Sequence, residues 1–168
     1  MRTSLRIVVV LLTLLACVGC DQATKLIARD HLASGTRISL LSDTLRLQYA
    51  ENPGAFLSLG EALPETTRHT VFIFGALLFV CVAFPWALRA RSLSRARIVG
   101  AALMCGGALG NVIDRLTHDG RVVDFLNLGI GPVRTGIFNV ADMALMIGVG
   151  LLIYGSGRTR DSKLSVQR

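Results

Sequence analysis

The chain has 168 residues, of which 52% are hydrophobic, and its formal net charge is +7. A single domain of this length with so much apolar sequence is too hydrophobic to fold in water alone, so we expect part of its surface to face lipid. The basic residues lie in short clusters at the ends of apolar runs, without interleaved aromatic residues for base stacking, which argues against a nucleic-acid partner. We therefore treat residues 1–168 as one integral membrane domain.

The first apolar run predicts a transmembrane helix over residues 7–27. Asp21 and Lys25 have the i,i+4 spacing of an ion pair on one helix face, which lets the helix continue past them. A second interpretation is a cleaved leader, because Leu14-Leu15-Ala16-Cys17 resembles the end of a bacterial lipoprotein signal peptide. We favour an uncleaved helix, since three more apolar runs follow.

Those three runs predict further membrane crossings over residues 69–88, 97–115 and 137–156. Each can span about 30 Å of hydrocarbon, which needs roughly 20 residues, if basic side chains reach outwards at the ends. The last run is apolar except for Asn139 and Asp142 near its beginning. The predicted fold is thus a membrane α-helical protein with four transmembrane helices. The four cysteines lie inside apolar runs and are interpreted as small buried apolar residues.

The distribution of basic residues predicts the orientation, because short cytoplasmic loops are enriched in Lys and Arg. The clusters comprise Arg2, Arg6, Arg89, Arg91, Arg95, Arg97, Arg158, Arg160, Lys163 and Arg168. Both termini and the loop between the second and third spans are therefore expected in the cytoplasm. Residues 28–68 and 116–136, which mix acids and bases, are expected to form the outer loops.

The first outer loop shows partial alternation of apolar and polar residues between Ile38 and Tyr49. This pattern predicts two short strands joined at Ser42-Asp43. A small extracytoplasmic β-sheet in the first outer loop is the expected result.

Two acidic residues are candidates for chemistry. Asp142 falls within a predicted span, where an ionised carboxylate is costly and usually functional, and Asp124 lies between apolar residues in the second outer loop. If both face one cavity, they share a proton, and the pair can activate water and polarise a carbonyl. Two alternatives stay open: Asp142 caps the fourth helix, or the acids carry ions in a small transporter.

The end of the third predicted helix carries further polar residues. Asn111, Asp114 and Arg115 lie at i, i+3 and i+4, so they share one face and either line a site or form a local ion pair. Gly106-Gly107-Ala108-Leu109-Gly110 contains a small-xxx-small pattern that predicts close helix packing.

Five segments together resemble the signature blocks of bacterial lipoprotein signal peptidase, or signal peptidase II. They have the family's order and extend over nearly the whole chain. The segments are Asp21-Gln22-Ala23-Thr24-Lys25, Glu51-Asn52-Pro53-Gly54-Ala55-Phe56, Gly106-Gly107-Ala108-Leu109-Gly110-Asn111-Val112-Ile113-Asp114-Arg115, Val122-Val123-Asp124-Phe125 and Phe138-Asn139-Val140-Ala141-Asp142.

The resemblance implies an aspartic endopeptidase that removes the signal peptide of diacylglyceryl-modified prolipoproteins just before the lipidated cysteine. It implies Asp124 and Asp142 as the catalytic pair, with neither metal nor organic cofactor. Supporting and substrate-binding roles fall, by the same resemblance, on Asn52, Gly54, Asn111, Asp114, Arg115, Asn139, Asp21 and Lys25.

The resemblance also implies a bacterial inner-membrane location, an active site towards the periplasmic face, and contacts with membrane lipids. We expect a monomer. One segment departs from the family pattern: Gly54-Ala55-Phe56-Leu57-Ser58 lacks one alanine and has Leu57 before the serine. This difference bears on the shape of the substrate groove near Asn52.

Overall fold

The computed structural model describes residues 2–54, 64–90 and 92–165, and only the backbone within 157–165. Four long helices and four strands occur in this part of the chain. In chain order they are α1 (Thr3–Leu32), β1 (Arg37–Leu40), β2 (Leu45–Asn52), α2 (Glu65–Arg89), α3 (Arg95–Thr117), β3 (Val122–Ile130), β4 (Val133–Arg134) and α4 (Val140–Ser165).

Three helices, α1, α2 and α3, are long and apolar enough to cross a membrane. The apolar part of α4, Val140–Ser156, is shorter. A helical membrane protein with a small antiparallel sheet is therefore confirmed, whereas the fourth crossing stays a prediction. The helices extend beyond the predicted spans 7–27, 69–88 and 97–115, and α4 begins three residues after the predicted start at 137.

Helix α3 is the central helix and packs closely between α1 and α4. A Cβ atom on Gly107 would lie 2.5 Å from the carbonyl oxygen of Ala141 in α4. On Gly110 it would lie 2.6 Å from Oδ2 of Asp21 in α1. These distances leave no room for a side chain, so the predicted packing role of the small residues in 106–110 is confirmed.

The basic residues near the start of α1 and the end of α2 lie at the same end of the helix bundle. The guanidinium of Arg6 donates hydrogen bonds to the carbonyl oxygens of Ala90 (2.8 Å) and Leu88 (3.3 Å). This contact anchors the first turns of α1, which runs unbroken through Cys17. Residues 7–27 are therefore part of one continuous helix, and its retention without cleavage stays a prediction.

The sheet lies at the opposite end, with strand order β1-β2-β3-β4 and antiparallel pairing. The two predicted strands and their turn at Ser42-Asp43 are confirmed. However, β3 and β4 come from the second loop, so the expected sheet within residues 28–68 was incomplete. The reason is that Val122–Leu126 is a mostly apolar run rather than an alternating one, and such runs do not identify a strand.

The cysteines divide into two classes. Cys17 and Cys105 are buried, but Cys20 and Cys81 are exposed on the helix surfaces. The interpretation of all four as buried residues was therefore wrong for two of them. In a membrane an exposed position still offers an apolar surrounding, so the sequence pattern does not separate the two cases.

We predict that Gly107→Ala lowers the melting temperature in detergent, because the added methyl group would overlap the Ala141 carbonyl and force α3 and α4 apart. Overpacking of this kind costs about 1–3 kcal/mol. Gly150→Ala is the matched control, since a Cβ at Gly150 meets nothing within 4 Å. Equal melting temperatures for the two variants would contradict the packing argument.

Candidate active site

A cluster of polar residues lies where the sheet meets the helix bundle. Eight of its residues come from α1, β2, α3, β3 and the beginning of α4, and most are buried despite their polarity. They are Asp21, Lys25, Asn52, Asn111, Asp114, Asp124, Asn139 and Asp142. Buried polar groups need partners, and each of these residues has at least one.

Asp142 lies in the first turn of α4 and forms a reciprocal cap with Asn139, which precedes the helix. The backbone N–H of Asp142 donates to Oδ1 of Asn139 (2.9 Å), and the N–H of Asn139 donates to Oδ2 of Asp142 (3.2 Å). This is the geometry of a capping box. The capping interpretation of Asp142 is thus confirmed, and its other oxygen, Oδ1, is left to accept from Asn111 Nδ2 at 2.9 Å.

Asp124 lies on β3, opposite Ala50 of β2, and is 2% exposed. Its carboxyl group accepts hydrogen bonds from Asn139 Nδ2 (2.7 Å) and Asn52 Nδ2 (2.9 Å). Burial raises the pKa of Asp124 to about 7; the hydrogen bond from Asn52 opposes this rise, and the negative charge of Asp142 adds to it. A group with this pKa exchanges its proton readily near neutral pH.

The two acids meet at Asn139. One end of its side-chain amide donates to Asp124, and the other end accepts from the N–H of Asp142. Its Nδ2 also lies 3.1 Å from Oδ1 of Asn111. The structure therefore brings together the two acidic residues that the sequence singled out, around one amide.

A buried ion network supports this arrangement from the α1 side. The ammonium of Lys25 lies 2.8 Å from Asp21 and 2.9 Å from Asp114, and it donates to Oδ1 of Asn111 at 3.1 Å. The i,i+4 ion pair expected in the first helix is confirmed. Lys25 also pairs with a second acid, Asp114, which lies on α3 and not on the same helix.

The same two carboxylates also hold backbone groups. Asp21 Oδ1 accepts from the N–H of Ala141 in α4 (2.9 Å), and Asp114 Oδ2 accepts from the N–H of Val123 in β3 (2.9 Å). Ala141 is next to Asp142, and Val123 is next to Asp124. The network therefore fixes the backbone on which each acid is mounted.

Asn52 and Gly54 form a tight turn at the end of β2. The N–H of Gly54 donates to Oδ1 of Asn52 (2.9 Å), and Gly54 has a φ of 108°, which favours glycine. A Cβ there would lie 2.8 Å from the ring of Phe72. The departure from the family pattern at residues 55–58 lies outside the described residues.

Arg115 lies beside the site on α3. Its guanidinium is 5.1 Å from the ring centroid of Phe72, and Nη1 donates to the carbonyl oxygen of Asn111 (3.1 Å). The predicted common face of Asn111, Asp114 and Arg115 is confirmed, although Arg115 makes no ion pair with Asp114 within the described part of the chain.

Sequence reasoning missed two members of the surroundings, Gln22 and Phe72. Gln22 Nε2 donates to Asp114 Oδ1 (2.9 Å) and to the carbonyl oxygen of Gly110 (3.2 Å). Its position three residues before Lys25 places it near the same helix face, which was an available signal. Phe72 offered none, since it is one aromatic residue in an apolar helix.

A family model described as Signal peptidase (SPase) II matches residues 13–157. The chain belongs to the signal peptidase II family. The expected family and the expected enzyme class, an aspartic endopeptidase, are thereby confirmed. Its apolar helices and bacterial relatives make it a multi-pass protein of the bacterial inner membrane.

Relatives from diverse bacteria carry the name lipoprotein signal peptidase. The protein of Leifsonia xyli is 35% identical and covers 90% of this chain and 68% of its own length. That of Sphingopyxis alaskensis is 39% identical, with 79% and 76% covered, and that of Moorella thermoacetica is 38% identical, with 86% and 89% covered. The similarity thus extends over most of this signal peptidase II chain.

Two solved structures, each described as a bacterial membrane enzyme, have the same fold. One has a TM-score of 0.78 at 28% identity, covering 92% of this chain and 90% of the other. The second has a TM-score of 0.74 at 29% identity, covering 86% and 90%.

We predict that Lys25→Met strongly destabilises this signal peptidase II, because it leaves two buried carboxylates facing each other without a cation. Breaking a buried pair in this way costs about 3–5 kcal/mol. The matched control is Arg121→Met, which removes a cation from the exposed pair with Glu51 and should cost at most about 1 kcal/mol. Thermal unfolding in detergent measures both, and similar losses would refute the buried network as the main support.

We also predict that ionisation of Asp124 weakens the folded state. Burial raises the pKa of Asp124 to about 7. The stability that the protonated Asp124 carboxyl group gives to the folded state is therefore complete below the pKa of a free carboxyl group, about 4. It is lost as the pH rises through about 7. The melting temperature of the native chain should therefore fall, relative to Asp124→Asn, between about pH 4 and about pH 7.

The control for this experiment is Asp43→Asn. Hydrogen bonds from Arg46 and Ser39 lower the pKa of Asp43, so its ionisation is complete well below this pH range. The melting temperature of Asp43→Asn should change with pH in parallel with that of the native chain. If the melting temperature of Asp124→Asn also ran parallel to that of the native chain, the raised pKa of Asp124 would be contradicted.

Proposed function

We propose that this chain cleaves the signal peptide from diacylglyceryl-modified prolipoproteins just before the lipidated cysteine, with Asp124 and Asp142 as the catalytic pair. Family membership supports the class of reaction. The observation that supports the choice of residues is that both acids are bound to Asn139. Its side-chain amide donates to the carboxyl group of Asp124, and its backbone N–H donates to the carboxyl group of Asp142. The two acids come from different elements, a strand and a helix N-terminus, and a buried acid with a raised pKa beside a second acid is typical of a functional site.

The proposed pair shares one proton. Asp142 acts as the carboxylate, because it lies at the N-terminal end of α4 and accepts from two donors, Asn139 N–H and Asn111 Nδ2. Asp124 acts as the acid, because burial raises its pKa to about 7. The amides of Asn52 and Asn139 hold its carboxyl group in place.

The reaction then proceeds without metal or organic cofactor. A water molecule gives a proton to Asp142 while its oxygen attacks the scissile carbonyl carbon, and Asp124 polarises the carbonyl oxygen. When the tetrahedral intermediate collapses, the C–N bond breaks and the proton passes to the nitrogen of the cysteine. The new carboxyl group stays on the signal peptide, and the pair regains its single shared proton.

The remaining polar residues have positioning and binding roles in this proposal. Lys25, Asp21 and Asp114 hold the backbone beside the two acids, and Asn111 with Asn139 orients the carboxyl groups. Asn52, Gly54 and Arg115 border the cluster at the end of β2 and on α3, and we assign them to binding of the substrate backbone.

We place the site at the periplasmic end of the chain, with four crossings over residues 7–27, 69–88, 97–115 and 137–156. Both termini are then cytoplasmic, in accordance with the basic residues at the end opposite the sheet. Residues 1–168 act as one domain and as a monomer, and the lipid tails of the substrate approach sideways from the bilayer.

We predict that Asp124→Asn and Asp142→Asn each reduce cleavage at least about a hundredfold, since each removes half of the proton-sharing unit. The measurement is a gel-shift assay with a lipidated prolipoprotein in detergent. Asp119→Asn, an exposed acid on the turn after α3, is the matched control and should cleave normally. Melting temperatures of all variants separate loss of chemistry from loss of fold, and retained cleavage in either folded variant would falsify the pair.

A further inference from the structure

An apolar groove of about 360 Å³ lies on α3 between α2 and α4, far along the bundle from the polar cluster. Four of its residues belong to α2, namely Phe79, Val82, Ala83 and Trp86. They recur at i, i+3, i+4 and i+7, so they form one continuous face of that helix. The candidate active site does not use this groove.

The floor of the groove leads to an arginine. Ala101 and Met104 of α3 line the floor, and Arg97 lies on the same face one turn earlier. The guanidinium of Arg97 is 5.6 Å from the ring centroid of Trp86, at the end of the groove. Its Nε is buried and has no hydrogen-bond partner within the described residues.

The surroundings of Arg97 are strongly basic. Residues 89–97 contain four arginines and no acid. Within the described residues, no carboxylate forms an ion pair with Arg89, Arg95 or Arg97. The groove therefore joins an apolar channel to a positive end, which is the charge distribution complementary to an anionic phospholipid.

We propose that this groove binds an anionic phospholipid from the membrane leaflet at the basic end. One acyl chain lies against the apolar face of α2 and the floor of α3. The phosphate lies against Arg97, with Trp86 at the level of the headgroups, where tryptophan is enriched in membrane proteins. Basic pockets between transmembrane helices are known sites for such headgroups.

A signal peptide is a less suitable occupant. Such peptides begin with a positively charged segment, which would meet the arginines at this end of the groove and be repelled. An anionic lipid gains from the same charges. The proposal thus concerns a site for membrane lipid that is separate from cleavage.

The single tryptophan of the chain, Trp86, reports directly on the groove. The full chain would be reconstituted in phosphatidylcholine vesicles that contain a small fraction of brominated lipid, either phosphatidylglycerol or phosphatidylcholine with the same chains. Bromine quenches tryptophan fluorescence on contact. We expect brominated phosphatidylglycerol to quench Trp86 as strongly as brominated phosphatidylcholine does at a mole fraction that is lower by at least about fivefold. A factor of this size is the effect of one arginine near a lipid surface.

Variants separate the charge from the packing. Arg97→Gln should reduce the preference for phosphatidylglycerol by about fivefold, and Arg97→Lys should retain most of it. Arg37→Gln removes a charge from β1 at the sheet end, opposite the groove, and should leave the preference unchanged. Ala83→Phe fills the groove and should weaken quenching by both lipids. Comparing the two lipids within each variant corrects for any change in Trp86 itself.

Equal quenching by the two lipids in the native chain would overturn the proposal, as would a preference that survives Arg97→Gln. Displacement of phosphatidylglycerol by an unlabelled signal peptide would instead assign the groove to the substrate. Cleavage of a prolipoprotein by the same variants, expected at the native rate, shows that they are folded and that the lipid site is distinct from the catalytic pair.

Discussion

The buried ammonium of Lys25 between two carboxylates is the interaction on which the site depends. Asp21 and Asp114 are 0% and 1% exposed, so neither carboxylate can rely on water, and each needs the cation. Because the same acids accept backbone N–H groups from Ala141 and Val123, they join α1 and α3 to the start of α4 and to β3. The same two carboxylates therefore neutralise Lys25 and hold the backbone beside the proposed catalytic acids.

Neutral amides separate this ion network from the proposed catalytic acids. Asn111 accepts from Lys25 and donates to Asp142, and Asn139 contacts both Asp124 and Asp142. An amide offers a donor and an acceptor without adding charge, so it can orient a carboxyl group and still leave its proton exchangeable. A lysine in direct contact would hold the acid ionised. Burial raises the pKa of Asp124 to about 7, and the hydrogen bonds from the amides and the charge of Lys25 oppose this rise without cancelling it.

The two ends of the molecule serve different purposes in this view. The sheet end holds the acids, their amides and the strand pairing that positions Asp124 opposite Ala50. The other end holds arginines, the single tryptophan and an apolar groove. Helix α3 runs between the two ends, and at the sheet end it packs closely against α4 at Gly107 and against α1 at Gly110. A membrane enzyme built in this way can contact lipid at one end without disturbing chemistry at the other.

The sequence by itself determined the membrane-type helical class, the two strands of the first loop, the ion pair of Asp21 with Lys25 and the candidate acids. These features depend on local periodicity, spacing and the cost of charge in lipid, all of which are visible along the chain. Only the tertiary structure decided that Asp114 is the second partner of Lys25, that β3 completes the sheet, and that Gln22 and Phe72 join the surroundings. Those features arise from contacts between segments far apart in sequence, which no local pattern encodes.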